Sequence, residues 1–181
     1  MKKEDLHGFV PAVVTPFNEK GEIMEDAYQH LVNWLIGQGA SAICVSGDNG
    51  ESWALSAEEK GRLTKLAVDE AAGRVPVITG CSSTMLKSSV EFAFAAKENG
   101  ASAVLSMPQT YVLKTTRDEL LSRFEKLNAA IDMPIVAYNS PRRAGLNLSI
   151  DDIGAIMDVA PIIGIKESNR DYFHHTHLIK R

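Results

Sequence analysis

The chain has 181 residues, 45% of them hydrophobic and 23% charged, with a formal net charge of -4. That composition supports one sizeable core rather than two, so a single domain over residues 1–181 is expected. No basic stripe suits a phosphate backbone, which argues against a nucleic-acid partner, and no apolar run approaches the ~20 residues of a bilayer-spanning helix. Met1-Lys2-Lys3-Glu4-Asp5-Leu6 is polar, with no apolar stretch behind it. Cys44 and Cys81 are isolated thiols without metal-ligand spacing, as in a reduced, soluble, cytoplasmic protein; Cys81 lies near a strand end, where it could be accessible.

Along the chain, short apolar runs alternate with helical patterns. Strands are expected at residues 9–15, 42–46, 75–80, 103–107, 135–138 and 162–166. They are continuous apolar runs, as parallel strands covered on both faces should be. Between them, three/four spacing predicts helices carrying Tyr28, Leu31, Trp34 and Leu35; Leu63, Leu66 and Ala67; and Leu86, Val90 and Phe94. A fourth carries Leu120, Phe124, Leu127 and Ile131, and a shorter fifth Ile153, Ile156 and Met157. Ser56-Ala57-Glu58-Glu59 and Thr116-Arg117-Asp118-Glu119 read as capping boxes. The chain ends within what reads as the start of another helix.

Repeated strand–helix units point to right-handed parallel crossovers. Gly39-Ala40-Ser41-Ala42 and Gly100-Ala101-Ser102-Ala103 both precede strands, and Pro76, Pro134 and Pro161 stand at strand entrances. A doubly wound sheet would favour a glycine-rich turn after the first strand, where this chain has Thr15-Pro16-Phe17-Asn18. Polar and reactive residues instead follow successive strands: Asp48, Cys81, Tyr111, Tyr138 and Lys166. That distribution predicts a (β/α)8 TIM barrel. A full barrel takes ~250 residues, so about six units are expected here, with the C-terminal ones missing as in a fragment of a longer polypeptide.

The chemistry centres on Lys166, which ends the apolar run Pro161-Ile162-Ile163-Gly164-Ile165 and precedes Glu167. Burial favours a neutral amine, the species that attacks a carbonyl to form a Schiff base. The alternative for a lone lysine is a snorkelling or ion-paired side chain.

Taken together, the strand tips resemble the dihydrodipicolinate synthase / N-acetylneuraminate lyase family of class I aldolases. The resemblance runs from Gly8-Phe9-Val10-Pro11-Ala12-Val13-Val14-Thr15-Pro16-Phe17 through Gly47-Asp48-Asn49-Gly50-Glu51-Ser52 and Pro108-Gln109-Thr110-Tyr111. It continues through Tyr138-Asn139-Ser140-Pro141-Arg142-Arg143-Ala144-Gly145 to Gly164-Ile165-Lys166-Glu167. It implies that Lys166 forms an imine with pyruvate or a related 2-oxo acid and that Tyr138 shuttles the proton. It further implies that Tyr111 crosses into a neighbouring subunit's site, hence a homodimer or homotetramer, and that Arg143 binds the carboxylate of an incoming aldehyde. No cofactor and no metal are implied.

Where the family carries two adjacent hydroxyl residues, this chain has Asp48 and Asn49. Asn49 can still donate to a substrate carboxylate. Asp48 cannot donate when ionised; it is either a general base for a related reaction or a structural cap of its turn. His174, His175 and His177 are without a carboxylate cluster and open a helix pattern rather than a metal site. The nearest activity implied is 4-hydroxy-tetrahydrodipicolinate synthase. The rivals are a 2-keto-3-deoxy sugar acid aldolase or dehydratase, an N-acetylneuraminate lyase-like enzyme, and a 2-oxo-acid-binding protein without turnover.

Overall fold

A computed structural model describes residues 1–110 and 114–180. Its centre is a five-stranded parallel sheet whose order follows the sequence: β1 (Ile43–Val45), β2 (Val77–Gly80), β3 (Ala103–Ser106), β4 (Ile135–Asn139) and β5 (Ile162–Glu167). Order without a switch point is barrel winding, not doubly wound winding. Helices α1 (Glu25–Gly37), α2 (Ala57–Ala71), α3 (Leu86–Glu98), α4 (Arg117–Ile131), the short α5 (Pro141–Ala144), α6 (Ile150–Val159) and α7 (Tyr172–Lys180) fill the connections. None is long and apolar enough to cross a membrane.

The expected first strand is only partly regular. Phe9 and Ala12 form isolated parallel bridges to Ala40 and Cys44. Pro11 gives its carbonyl to the Cys44 N–H at 2.9 Å but has no N–H to return, and so the ladder is broken there.

Alternation along the strands separates two layers. Outward-facing Ile43, Val45 and Val77 join Tyr28, Val32, Leu63 and Leu66 under the first helices. Val104 and Ile135 join Phe124, Leu127, Ile131 and Ile156. Inward-facing Ala42, Cys44, Ile78, Leu105, Val136 and Tyr138 form a third cluster that Leu6 joins from the N-terminus. Leu6 packs so closely on β5 that a Cβ on Gly164 would lie 2.4 Å from its Cδ2.

The helix starts follow their capping chemistry. Ser56 and Thr116 each accept from the backbone N–H three residues on, and Glu59 and Glu119 reach back. A third box, Ser149 with Asp152, opens α6; its shorter acid hides it from a Ser/Thr…Glu/Gln search.

Candidate active site

The turn that follows β1 carries Asp48 and Asn49. Ser46 takes a left-handed conformation (φ 50°), which swings the chain across the end of β2. A glycine is required beneath it, since a Cβ on Gly80 would lie 2.2 Å from the Ser46 carbonyl oxygen. The turn Asp48–Gly50 is then pinned from two sides. Thr15 Oγ1 donates to the Gly50 carbonyl at 2.8 Å. Lys60, completely buried on α2, donates from Nζ to the Ser52 carbonyl at 2.8 Å and to Ser52 Oγ at 3.1 Å. Its ammonium also lies 4.7 Å from the centroid of the Phe92 ring. Burial pushes the Lys60 pKa down to about 8, against weaker opposing pulls from Cys81, Asp48 and Glu59.

Tyr138 and Lys166 stand on the tips of adjacent strands as register partners. The register shifts between Ile135 and Val136, so that Ile135 pairs with Ile162 but Val136 with Gly164. This bulge puts both side chains on the inner face, with Lys166 Nζ 4.5 Å from the centroid of the Tyr138 ring. Tyr138 is 6% exposed. Lys166 is half-buried, rather than enclosed as its apolar strand suggested. All of β5 shares that partial exposure, because among the described residues it pairs with β4 alone. Beside the amine lies a mainly apolar cavity of about 290 Å³, lined by Leu6, Val10, Cys44, Leu105 and Val136. Burial pushes the Cys44 thiol up to about 11, more than the Lys166 charge lowers it, so it stays protonated at neutral pH. Cys81 is also fully buried, with a thiol raised by burial to about 11; it is not the accessible group its position suggested.

Asp48 joins the remaining groups. The Tyr138 hydroxyl donates to Asp48 Oδ2 at 3.3 Å, and the same oxygen lies 3.5 Å from Arg143 Nε. Arg143, on α5, also lies over Trp53, 5.9 Å from the ring centroid. Ser168 Oγ donates to the Tyr138 hydroxyl at 3.5 Å. Asn49 shares the turn with Asp48 but is exposed. Tyr111 lies outside the described residues. The structure therefore brings together Lys166, Tyr138, Asp48 and Arg143, with Asn49 at their margin.

A second group lies on the opposite face of the same tips. Asn139 and Glu167 are also register partners. Asn139 Nδ2 donates to both Glu167 carboxylate oxygens at 3.0 Å and to Asn147 Oδ1 at 3.0 Å. Its own Oδ1 accepts from the Leu148 N–H at 3.1 Å, while Glu167 Oε1 accepts from the Asn169 N–H at 2.7 Å. His174 Nε2 lies 3.3 Å from Glu167 Oε2, without hydrogen-bond alignment, and His175 Nε2 is 2.7 Å from the Asn169 carbonyl. The sequence reading passed over this network. Strand alternation could have found it, since Asn139 and Glu167 each follow an inward-facing site residue by one position.

A sequentially wound parallel sheet, with a lysine and a tyrosine on neighbouring tips, defines an α/β-barrel protein. The chain belongs to the dihydrodipicolinate synthetase family, whose sequence pattern matches residues 5–181. It is 39% identical over 164 residues to the 4-hydroxy-tetrahydrodipicolinate synthase of Maridesulfovibrio salexigens, covering 90% of this chain and 56% of that protein. Among solved structures it resembles a chloride-inhibited dihydrodipicolinate synthase from Acinetobacter baumannii, complexed with pyruvate. The TM-score is 0.91 at 31% identity, over 97% of this chain and 60% of that one. It also resembles N-acetylneuraminate lyase from Mycoplasma synoviae, with a TM-score of 0.86 at 28% identity, over 98% of this chain and 60% of that one. The chain thus spans a little over half the length of these relatives.

Proposed function

We propose that this protein acts as a Schiff-base-forming lyase, joining pyruvate or a similar 2-oxo acid to an aldehyde or running that reaction in reverse. Its relatives' name, 4-hydroxy-tetrahydrodipicolinate synthase, is the nearest activity. The observation that carries the reading is the Lys166 amine 4.5 Å from the Tyr138 ring centroid, beside a cavity of about 290 Å³.

The Lys166 amine adds to C2 of the oxo acid and expels its oxygen as water, leaving an iminium. Loss of a proton from C3 gives an enamine. C3 then bonds the aldehyde carbon, and the aldehyde oxygen takes the Tyr138 proton, which the phenol regains from the one released at C3. Water finally cleaves the imine, releasing a 4-hydroxy-2-oxo acid and the free amine. A phenol suits the central role because it both donates and accepts. Asp48 Oδ2, 3.3 Å from the Tyr138 hydroxyl, supports an acceptor role for a carboxylate where the family has a hydroxyl. Arg143 lies within 3.5 Å of that oxygen and stabilises its charge. Asn49 is assigned to the oxo-acid carboxylate. Tyr111 is assigned to a neighbouring subunit's site, in a cytoplasmic homodimer or homotetramer that needs no cofactor.

Borohydride with pyruvate tests the reading. The expected product is one pyruvate-derived adduct on Lys166, located by peptide mass spectrometry and absent from Lys166→Arg. No adduct on Lys166 would overturn the mechanism. Turnover with aldehydes then separates catalysis from simple binding of the oxo acid.

A further inference from the structure

A second cavity, of about 400 Å³, has in its wall Asp48, the acceptor of the Tyr138 hydroxyl, and shares no lining residue with the apolar cavity beside Lys166. Its wall is rich in hydroxyls: Ser82, Ser83, Thr84 and Thr110 line it, with Trp53 as an exposed aromatic plate. Its charged lining among the described residues is one anion and one cation, Asp48 and Arg143. These two neutralise each other, with Arg143 Nε 3.5 Å from Asp48 Oδ2. Asp48 is the more enclosed partner, at 16% side-chain exposure against 54% for Arg143.

We propose that Asp48 sets the specificity of the aldehyde half-site, acting as a built-in carboxylate that occupies Arg143. The cavity then takes an uncharged, hydroxylated aldehyde in preference to one bearing its own carboxylate. This inference rests on the Schiff-base reading of Lys166 and concerns only the second substrate. A carboxylate approaching Arg143 would have to displace Asp48 or lie against it, and like charges so placed discriminate strongly against the wrong partner. A neutral polyol meets no such opposition. Its hydroxyls can donate to the free lone pairs of Asp48, accept from the remaining Arg143 N–H groups and pair with the serine and threonine hydroxyls. Its C–H faces suit the Trp53 plate.

The test compares acceptors that differ in charge but hardly in shape, succinic semialdehyde and its uncharged amide, together with glyceraldehyde, all with pyruvate as donor. The purified wild-type protein should show a higher kcat/KM for glyceraldehyde and for the amide than for succinic semialdehyde. Asp48→Asn should invert the amide-to-acid ratio by on the order of tenfold or more, chiefly through a lower KM for the acid. Using the ratio cancels any loss of rate that the substitution causes through Tyr138. Wild-type preference for the acid, or a ratio unmoved in Asp48→Asn, would overturn the proposal. Borohydride trapping with pyruvate is run on both proteins. An adduct on Lys166 with the wrong ratio defeats the specificity inference alone, whereas no adduct defeats the Schiff-base reading beneath it.

Discussion

Tyr138 and Lys166 face one another because β5 carries one more residue than β4 over the same span. Ile135 pairs with Ile162 and Val136 with Gly164, leaving Ile163 as the extra residue. Simple pairing from Ile162 onward would instead set Lys166 opposite Asn139 and turn it from the ring. If the phenol handles the proton, Tyr138→Phe should lower kcat by about 10²–10⁴-fold. The Lys166 amine would remain, so borohydride should still trap pyruvate. Loss of rate and loss of adduct together would mean that the ring positions the amine instead.

The outer-face pair should behave as a clamp on that register. Glu167→Ala leaves the Asn169 N–H without its acceptor and removes one partner of the Asn139 amide, costing about 2 kcal/mol in urea unfolding. Glu167→Gln keeps an acceptor oxygen and should recover most of that stability. Equal losses in the two variants would show that charge, rather than hydrogen bonding, holds the tips.

Two glycines offer a contrast in what lies opposite a new methyl group. At Gly164 it would meet the far end of the Leu6 side chain at 2.4 Å, which can swing away. At Gly80 it would meet the Ser46 carbonyl oxygen at 2.2 Å, which is backbone. Gly164→Ala should cost about 1 kcal/mol and be relieved by Leu6→Ala, while Gly80→Ala should cost about 3 kcal/mol or more. Thermal melts of the four proteins read this directly. Indifference to Gly80→Ala would contradict the tight crossing of the β1 turn over β2.

Lys60 gives stability an unusual pH dependence. Its pKa falls from the ordinary 10.5 to about 8 on folding, because burial penalises the ammonium. Between those values the unfolded chain binds more protons than the folded one, so the free energy of unfolding rises with pH. The burial penalty is fully present below about pH 8 and relieved as pH climbs toward 10.5. Relative to Lys60→Met, the wild-type protein should therefore gain on the order of 3 kcal/mol between pH 7 and pH 10.5. Denaturant unfolding of both proteins at several pH values measures it, and a constant difference would refute the shift.

Much of the frame was legible in the sequence because strand and helix signals are local. The runs over 103–107, 135–138 and 162–166 became β3, β4 and β5, and the boxes at Ser56 and Thr116 opened α2 and α4. The segment over 9–15 was only half right, since the missing N–H of Pro11 interrupts an otherwise paired stretch. Four-residue α5 is too short to leave a periodic trace. Lys166 is less enclosed than its apolar neighbours implied, because burial depends on flanking strands rather than on the residues beside it in sequence. Asp48 was recognised as out of place, but its partners were beyond reach: Tyr138 lies 90 positions further along. Lys60 is not singled out by any sequence pattern, because nothing beside it signals its contacts with Ser52 and Phe92.

That Asp48–Tyr138 contact carries a geometric consequence. The two residues belong to the tips of β1 and β4, which have β2 and β3 between them. Neighbouring strands lie ~4.8 Å apart, so a flat sheet would hold these tips ~14 Å from each other. The reach of the two side chains covers part of that gap, and an inward curl of the sheet shortens the rest, as the chord of an arc shortens when the arc bends. The hydrogen bond is therefore sensitive to curvature, and a change that flattens the strands would draw Asp48 away from the phenol.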